Sequence, residues 1–355
     1  MAGMKRLTMK GRYLLIVAGL AAFLVYLYLF VPFGQLIQKV QTLNPFYFLL
    51  AFCALLVSLI FYSLVWQRLL SLLSVKASFL KTFQLVWVEN FVDLVIPGEP
   101  ISGEVSRIYL MSKDTGEDYG KIVASAVGQR IATTSVVVTG LLASIVYFAL
   151  TIRPPLFVLA FACVILFSDI LVIVLLFYLA LKKGSTHKLV NWLFNLIARV
   201  SRGRWKFDET RGRITKALDI FHEGILTLGE HRRSLILPMV FTAFSWFLDM
   251  SIAVLVFLSL GSAGTAISVS AIIIVYSISG AIQYLPIGVI PGEVGLAEII
   301  MTTLFALLGN SQFLVVFAVA TVLIRFLTFW VRLLIGGIVV QFTAIKSLMP
   351  SQAPS

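Results

Sequence analysis

Two nine-residue segments carry the same groups able to exchange protons or hold a charged ligand. They are Ile96-Pro97-Gly98-Glu99-Pro100-Ile101-Ser102-Gly103-Glu104 and Ile290-Pro291-Gly292-Glu293-Val294-Gly295-Leu296-Ala297-Glu298, and both read I-P-G-E-x-x-x-x-E. Proline removes a backbone donor and glycine permits a sharp turn. Each segment therefore breaks a helix at Pro97-Gly98 or Pro291-Gly292, and the half-helix that follows points its amino-terminal dipole at the break. Glu99 and Glu293 sit at those ends, where a carboxylate can bind a cation, titrate during transport or pair with an arginine.

Further charges stand in stretches that are otherwise apolar: Glu89, Asp93, Glu104, Asp169, Asp249 and Glu298, with Arg107, Arg130, Arg325 and Arg332. Each costs roughly 2.5–3.5 kcal/mol at the centre of a membrane helix, so each must pair, protonate or face water. Glu104 and Arg107, three apart on one helical face, can form a local pair. Arg130 and Arg325 occupy comparable places in the spans after each break. Two readings stay open: these arginines cross-pair with the carboxylates, or the carboxylates serve a substrate or a proton. The set that can bind substrate or couple to protons is Asn90, Asp93, Glu99, Glu104, Arg107, Arg130, Glu293, Glu298 and Arg325. Asp169 and Asp249 read as helix–helix contacts, and Arg332 reads as snorkelling to the surface. No catalytic residue, metal or cofactor is expected. Cys53 and Cys163 lie in apolar runs, and His187, His222 and His231 lack zinc-site spacing.

The elements that must position these groups follow from composition. Of 355 residues 60% are hydrophobic and 12% charged, where a soluble protein carries roughly a quarter charged. The chain is an all-α polytopic membrane protein with no room for a large soluble catalytic domain. Apolar windows near 13–31, 45–70, 123–150, 155–181, 235–260 and 313–343 predict six full transmembrane helices. The segments near 79–96 and 267–290 are cut by Pro-Gly and followed by a second short segment, the pattern of re-entrant helical hairpins. With a basic, uncleaved amino terminus in the cytoplasm and hairpins that return to their starting side, every basic residue outside the membrane segments is cytoplasmic except Lys39 and Arg153. The net charge of +12 is thus topological, and no nucleic-acid partner is expected. Both termini are placed in the cytoplasm, in a cell membrane. Residues 184–233 form a basic insertion whose helical apolar spacing predicts amphipathic helices lying on an anionic leaflet.

The shared motif marks a duplication. Residues 1–155 form one unit of three spans with a hairpin near 79–111, and residues 156–350 a second with a hairpin near 267–308. The first hairpin enters from the cytoplasm and the second from outside, so the repeats are inverted, as in secondary transporters whose broken helices meet near the midplane.

These hairpins resemble those of the lysylphosphatidylglycerol synthase transmembrane-region family, also called flippase-like integral membrane proteins. The resemblance lies in residues 90–107, reading N-x-x-x-x-x-I-P-G-E-x-x-x-x-E-x-x-R, in Gln129-Arg130, in residues 285–298 with their Pro-Gly and Gly-x-x-Glu, and in Arg325. It implies a fold that moves a modified phospholipid, or in some members a polyprenyl-linked lipid, between leaflets. Bifunctional members carry a soluble aminoacyl transferase after this region; only Ser-Gln-Ala-Pro-Ser follows Pro350 here, so synthase activity is not expected. Members often carry an acid before the arginine of the fourth segment, where this chain has Gln129.

The expected function is therefore a lipid translocase, passive or ion-coupled because no Walker motif occurs, with membrane lipids as partners. Eight acids against four arginines make the membrane segments formally negative, favouring an amine-bearing headgroup, although the arginines can equally grip a phosphate. Zwitterionic or cationic phospholipid ranks ahead of polyprenyl phosphate. The alternatives are a secondary transporter of a small soluble substrate and an intramembrane headgroup transferase. Small residues such as Gly336-Gly337 permit close helix packing, within the chain or in a homo-oligomer.

Overall fold

The computed structural model describes residues 33–96, 101–151, 156–200, 208–261, 267–283, 295–309 and 311–348, and among these every regular element is helical. A short α1 (Phe33–Gln41) leads into α2 (Pro45–Leu72). Asn44 caps α2 by accepting from Phe46 N at 3.0 Å, and Pro45 takes a first-turn position where a missing N–H is no loss. Next come α3 (Phe79–Val95), α4 (Ile101–Thr115), the long α5 (Tyr119–Thr151) and α6 (Leu156–Leu181). The basic insertion supplies α7 (Lys183–Val200) and α8 (Asp208–Glu230). A 3₁₀ turn at Arg232–Leu235 opens α9 (Ile236–Ser259), followed by α10 (Val269–Gln283), α11 (Leu296–Leu308) and α12 (Leu314–Arg325). A π-helical turn, Phe326–Val331, joins α12 to α13 (Arg332–Leu348).

Five stretches are long and apolar enough to cross a membrane: Pro45–Leu72, Tyr119–Tyr147, Leu156–Leu181, Arg232–Ser259 and Leu314–Thr343. They coincide with five of the six expected spans; the sixth, 13–31, lies outside the described residues. Helices α3, α4, α10 and α11, which flank the two Pro-Gly motifs, each fall short of the ~20 residues a crossing takes.

The helices pack reciprocally. The most extensive contact is α2 against α9; α3 lies on α13, and α10 lies on α5. Each broken helix thus packs on the span that follows the other break. Close approach at the α3–α13 contact is secured by Gly336, where a Cβ would press on Phe91 and the Trp87 carbonyl. That pair of glycines is spent inside the chain. Helix α6 stands at the edge and exposes Phe161, Val164, Phe167, Leu171 and Val174, as a helix facing lipid does.

The basic insertion differs from expectation in one half. Helix α8 does not lay its apolar face on a membrane: that face packs along the start of α5, burying Phe221 and Leu228. Gly120, Ala124 and Gly128 form the docking stripe on α5. A Cβ at Gly120 would strike the Ala217 carbonyl, one at Gly128 would crowd Leu228, and one at Gly224 on α8 would meet Ala124. Small residues at four-residue spacing let two helices approach this closely, which outweighs surface adsorption. Helix α7 still exposes Leu189 and Trp192.

Asp219 ties α7 to α8, accepting from Lys183 Nζ at 2.8 Å and lying 3.2 Å from His187 Nε2. The Lys183 hydrogen bond holds its carboxyl below the usual carboxylate range, with the charges of Lys183 and His187 adding to the effect. A lowered folded pKa contributes stability that is complete above about pH 4 and is lost as pH falls through the folded value. Asp219→Asn is therefore expected to speed amide hydrogen exchange in the first turns of α7 at neutral pH. Wild type should do the same only in acid, and equal protection in both proteins at pH 7 would show the tie to be idle.

Candidate functional site

Helix α3 presents Glu89, Asn90 and Asp93 around one turn, because residues four apart share a helical face. Asp93 reaches across the first break to α4: its Oδ1 accepts from Gly103 N at 2.7 Å and from Ser102 Oγ at 3.0 Å. A Cβ at Gly103 would collide with the Glu89 carbonyl and the Asp93 carboxyl, so α3 and α4 meet backbone to backbone there.

Behind this wall lies Arg107, fully buried. Its Nη1 donates to Gln129 Oε1 at 3.0 Å and lies 3.0 Å from Glu89 Oε2, the latter out of line for a hydrogen bond; Nη2 is 3.4 Å from Glu104 Oε1. The guanidinium also covers the Trp66 ring at 4.4 Å from its centre, a favourable stacking for a desolvated arginine. Gln129 hands its own amide protons to the Tyr62 carbonyl at 2.9 Å. A neutral glutamine suits this place because two carboxylates already face Arg107.

The same pair recurs in both halves. Glu104 accepts from Arg130 Nη2 at 3.0 Å, and Glu298 accepts from Arg325 Nε at 2.7 Å. Each joins the helix after a break to the span that follows it, at separations of 26 and 27 residues. The second pair is the drier, with both side chains about 95% or more buried. The other oxygen of Glu298 accepts from Gly295 N at 2.7 Å, closing the amino terminus of α11. Gly295 has φ 90°, a backbone region that side chains with a Cβ rarely occupy.

Arg332 departs from expectation. It does not snorkel: its Nη2 donates to Asp249 Oδ1 at 3.0 Å, with Tyr276 Oη 3.5 Å from the other carboxylate oxygen. Asp249 is therefore a cavity charge as well as a link between helices. Asp169 also departs from the expected satisfied contact. It is buried on α6, and among the described residues its Oδ2 has no hydrogen-bond partner.

These elements enclose a cavity of about 230 Å³ between the halves. Glu89, Asn90, Asp93 and Arg130 reach it from one side, and Asp249, Tyr276, Arg325 and Arg332 from the other. Glu104 and Glu298 stand behind the arginines they hold. Among the described residues three carboxylates and three guanidiniums line the space, a balanced wall rather than the negative one expected from the total of acids. The π-helical turn runs past it through Thr328, as such turns often do at functional places. Arg332 Nε is buried without a partner among the described residues.

Of the residues singled out from sequence, Asn90, Asp93, Arg130 and Arg325 line the cavity, while Glu104, Arg107 and Glu298 support it. Pro97, Gly98, Glu99, Pro291, Gly292 and Glu293 lie outside the described residues. Glu89, Asp249, Tyr276 and Arg332 were missed as site residues. The signal available for Glu89 was its four-residue spacing from Asp93; Asp249 and Arg332 were marked only as charges in apolar stretches, and their pairing, across 83 residues, had no signal of its own.

The model of the lysylphosphatidylglycerol synthase transmembrane region matches residues 15–336. Similar chains include a UPF0104 membrane protein of Pyrococcus horikoshii, 25% identical over 334 residues covering 93% of this chain and 96% of that one. Another, from Methanocaldococcus jannaschii, is 26% identical over 280 residues, covering 79% of this chain and 81% of the relative. A third, from Methanothermobacter thermautotrophicus, is 24% identical and covers 79% of each.

Proposed function

The chain belongs to the lysylphosphatidylglycerol synthase transmembrane-region family, and from that premise we propose that it is a lipid translocase, moving a phospholipid or polyprenyl-linked lipid between leaflets without ATP. The observation that carries this reading is the charge-balanced cavity set inside an apolar bundle. A zwitterionic headgroup matches such a wall: its phosphate would meet Arg332, whose Nε has no partner among the described residues, and its amine would meet Asp93 or Asp249. We assign no synthase activity. The bundle is placed in the cell membrane with both termini cytoplasmic, on the strength of the positive-inside distribution of lysine and arginine.

Six spans with two re-entrant hairpins in an inverted repeat are part of this proposal. The repeated Glu–Arg pair and the reciprocal packing of each broken helix on the other half support it. Two similar halves around one cavity can exchange conformations and so present it alternately to either leaflet.

The test is leaflet exchange of headgroup-variant fluorescent lipids in proteoliposomes with an impermeant quencher. Wild type should exceed empty liposomes. Asp249→Asn, and separately Glu99→Gln/Glu293→Gln, should slow exchange several-fold while remaining monodisperse in detergent. No exchange of any lipid, with or without a pH gradient, would overturn the reading in favour of a soluble substrate or a transferase.

A further inference from the structure

Beside the charged cavity runs a second, quite different concavity of about 1300 Å³, between α5 and α9 with α10 closing one end. Its walls are almost wholly apolar. Ala143 of α5 and Ala243 of α9 line it, with Met239, Phe247 and Val254 extending the wall along α9. Along α9 it reaches from Arg232 to Val254, about 33 Å at the helical rise, which matches the ~30 Å hydrocarbon core of a bilayer. Among the described residues the only charge lining it is Arg232, at the end next to the basic insertion.

The two concavities share a wall. Trp246 and Met250 line both. The Trp246 indole lies against Gly140 of α5 so closely that any Cβ there would collide with its six-membered ring. Polar space thus lies on one side of a single aromatic ring, and a membrane-deep apolar trough on the other.

We propose that this trough binds an acyl chain of a phospholipid whose headgroup passes Trp246 to reach the charged cavity, an inference that rests on the lipid-translocase reading. The occupant follows from the chemistry of the two spaces. A soluble solute would have no use for an apolar trough of bilayer height, whereas a phospholipid carries an apolar tail and a charged head joined end to end. Arg232 supplies a cation for the phosphate at the mouth. The small side chains at residues 143 and 243 leave volume that a tail would fill.

The experiment uses the full chain in liposomes containing a tracer phospholipid with a photoactivatable diazirine midway along one acyl chain. After irradiation, labelled peptides are located by mass spectrometry, and leaflet exchange is measured on the same preparation. Labelling is expected to concentrate within 135–144 and 239–254, several-fold above lipid-facing positions of α6 such as Phe167. Ala143→Phe/Ala243→Phe fills the trough from two exposed positions and should abolish that excess and slow exchange, leaving α6 labelling unchanged. Even labelling over all lipid-facing helices, whatever the exchange rate, would overturn the trough as a site. Labelling of the trough without exchange of any lipid would uphold the acyl site and overturn translocation instead. The wild-type map needs no variant, so the test survives a substitution that fails to fold.

Discussion

Glu298→Ala should lower the unfolding free energy by about 3–5 kcal/mol, the usual consequence of removing one partner of a buried ion pair. The loss comes chiefly from Arg325, whose buried guanidinium would give up its 2.7 Å bond to the Glu298 carboxylate. The same substitution also frees Gly295 N at the start of α11, adding about 1 kcal/mol for the lost cap. Thermal unfolding in detergent would show a large drop in midpoint. Glu298→Ala/Arg325→Met should recover most of it, because an apolar pair leaves no charge unmatched. Glu104→Ala, whose pair with Arg130 is partly open to the cavity, should cost clearly less. A Glu298→Ala midpoint equal to wild type would mean that the pair contributes nothing to holding α11 on α12.

Arg107→Met is the second large effect, again about 3–5 kcal/mol, and for the opposite charge. Glu104 keeps Arg130, but Glu89 is left buried with no cation at 3.0 Å, and Gln129 loses the donor to its Oε1. The shape loss is small, since methionine can still cover Trp66. Monodispersity and the thermal midpoint should therefore fall together. Arg107→Met/Glu89→Gln should restore both, whereas Arg107→Met/Glu104→Gln should not. Rescue by the Glu104 change in place of the Glu89 change would reverse the assignment of Arg107's main partner.

How much of this was legible in the chain depends on the distance over which each interaction acts. Helices α2, α6 and α9 follow from runs of apolar residues, and the breaks from Pro-Gly, because both signals are local. The matching places of Arg130 and Arg325 left pairing with the carboxylates as one of two open readings, and both arginines do pair, with Glu104 and Glu298. Asp249 and Arg332 meet only through the tertiary fold, so nothing near either residue announced the other. The docking of α8 on α5 did have a signal, the Gly120-x-x-x-Ala124-x-x-x-Gly128 stripe, but an amphipathic pattern alone does not say whether lipid or protein covers its apolar face. Gln129 illustrates a further limit: a neutral acceptor is chosen by the charge already surrounding its neighbour.

The four intramembrane carboxylate–guanidinium pairs, Glu89–Arg107, Glu104–Arg130, Asp249–Arg332 and Glu298–Arg325, each close within one half of the chain. During synthesis the amino-terminal half can therefore be laid into the bilayer with these charges already matched, before the ribosome has made the carboxyl-terminal half. What then remains for assembly is the seam between the halves, α2 on α9 with α3 on α13 and α10 on α5. The order of insertion and the order of charge neutralisation coincide, which spares the nascent chain a period of carrying bare guanidiniums in hydrocarbon.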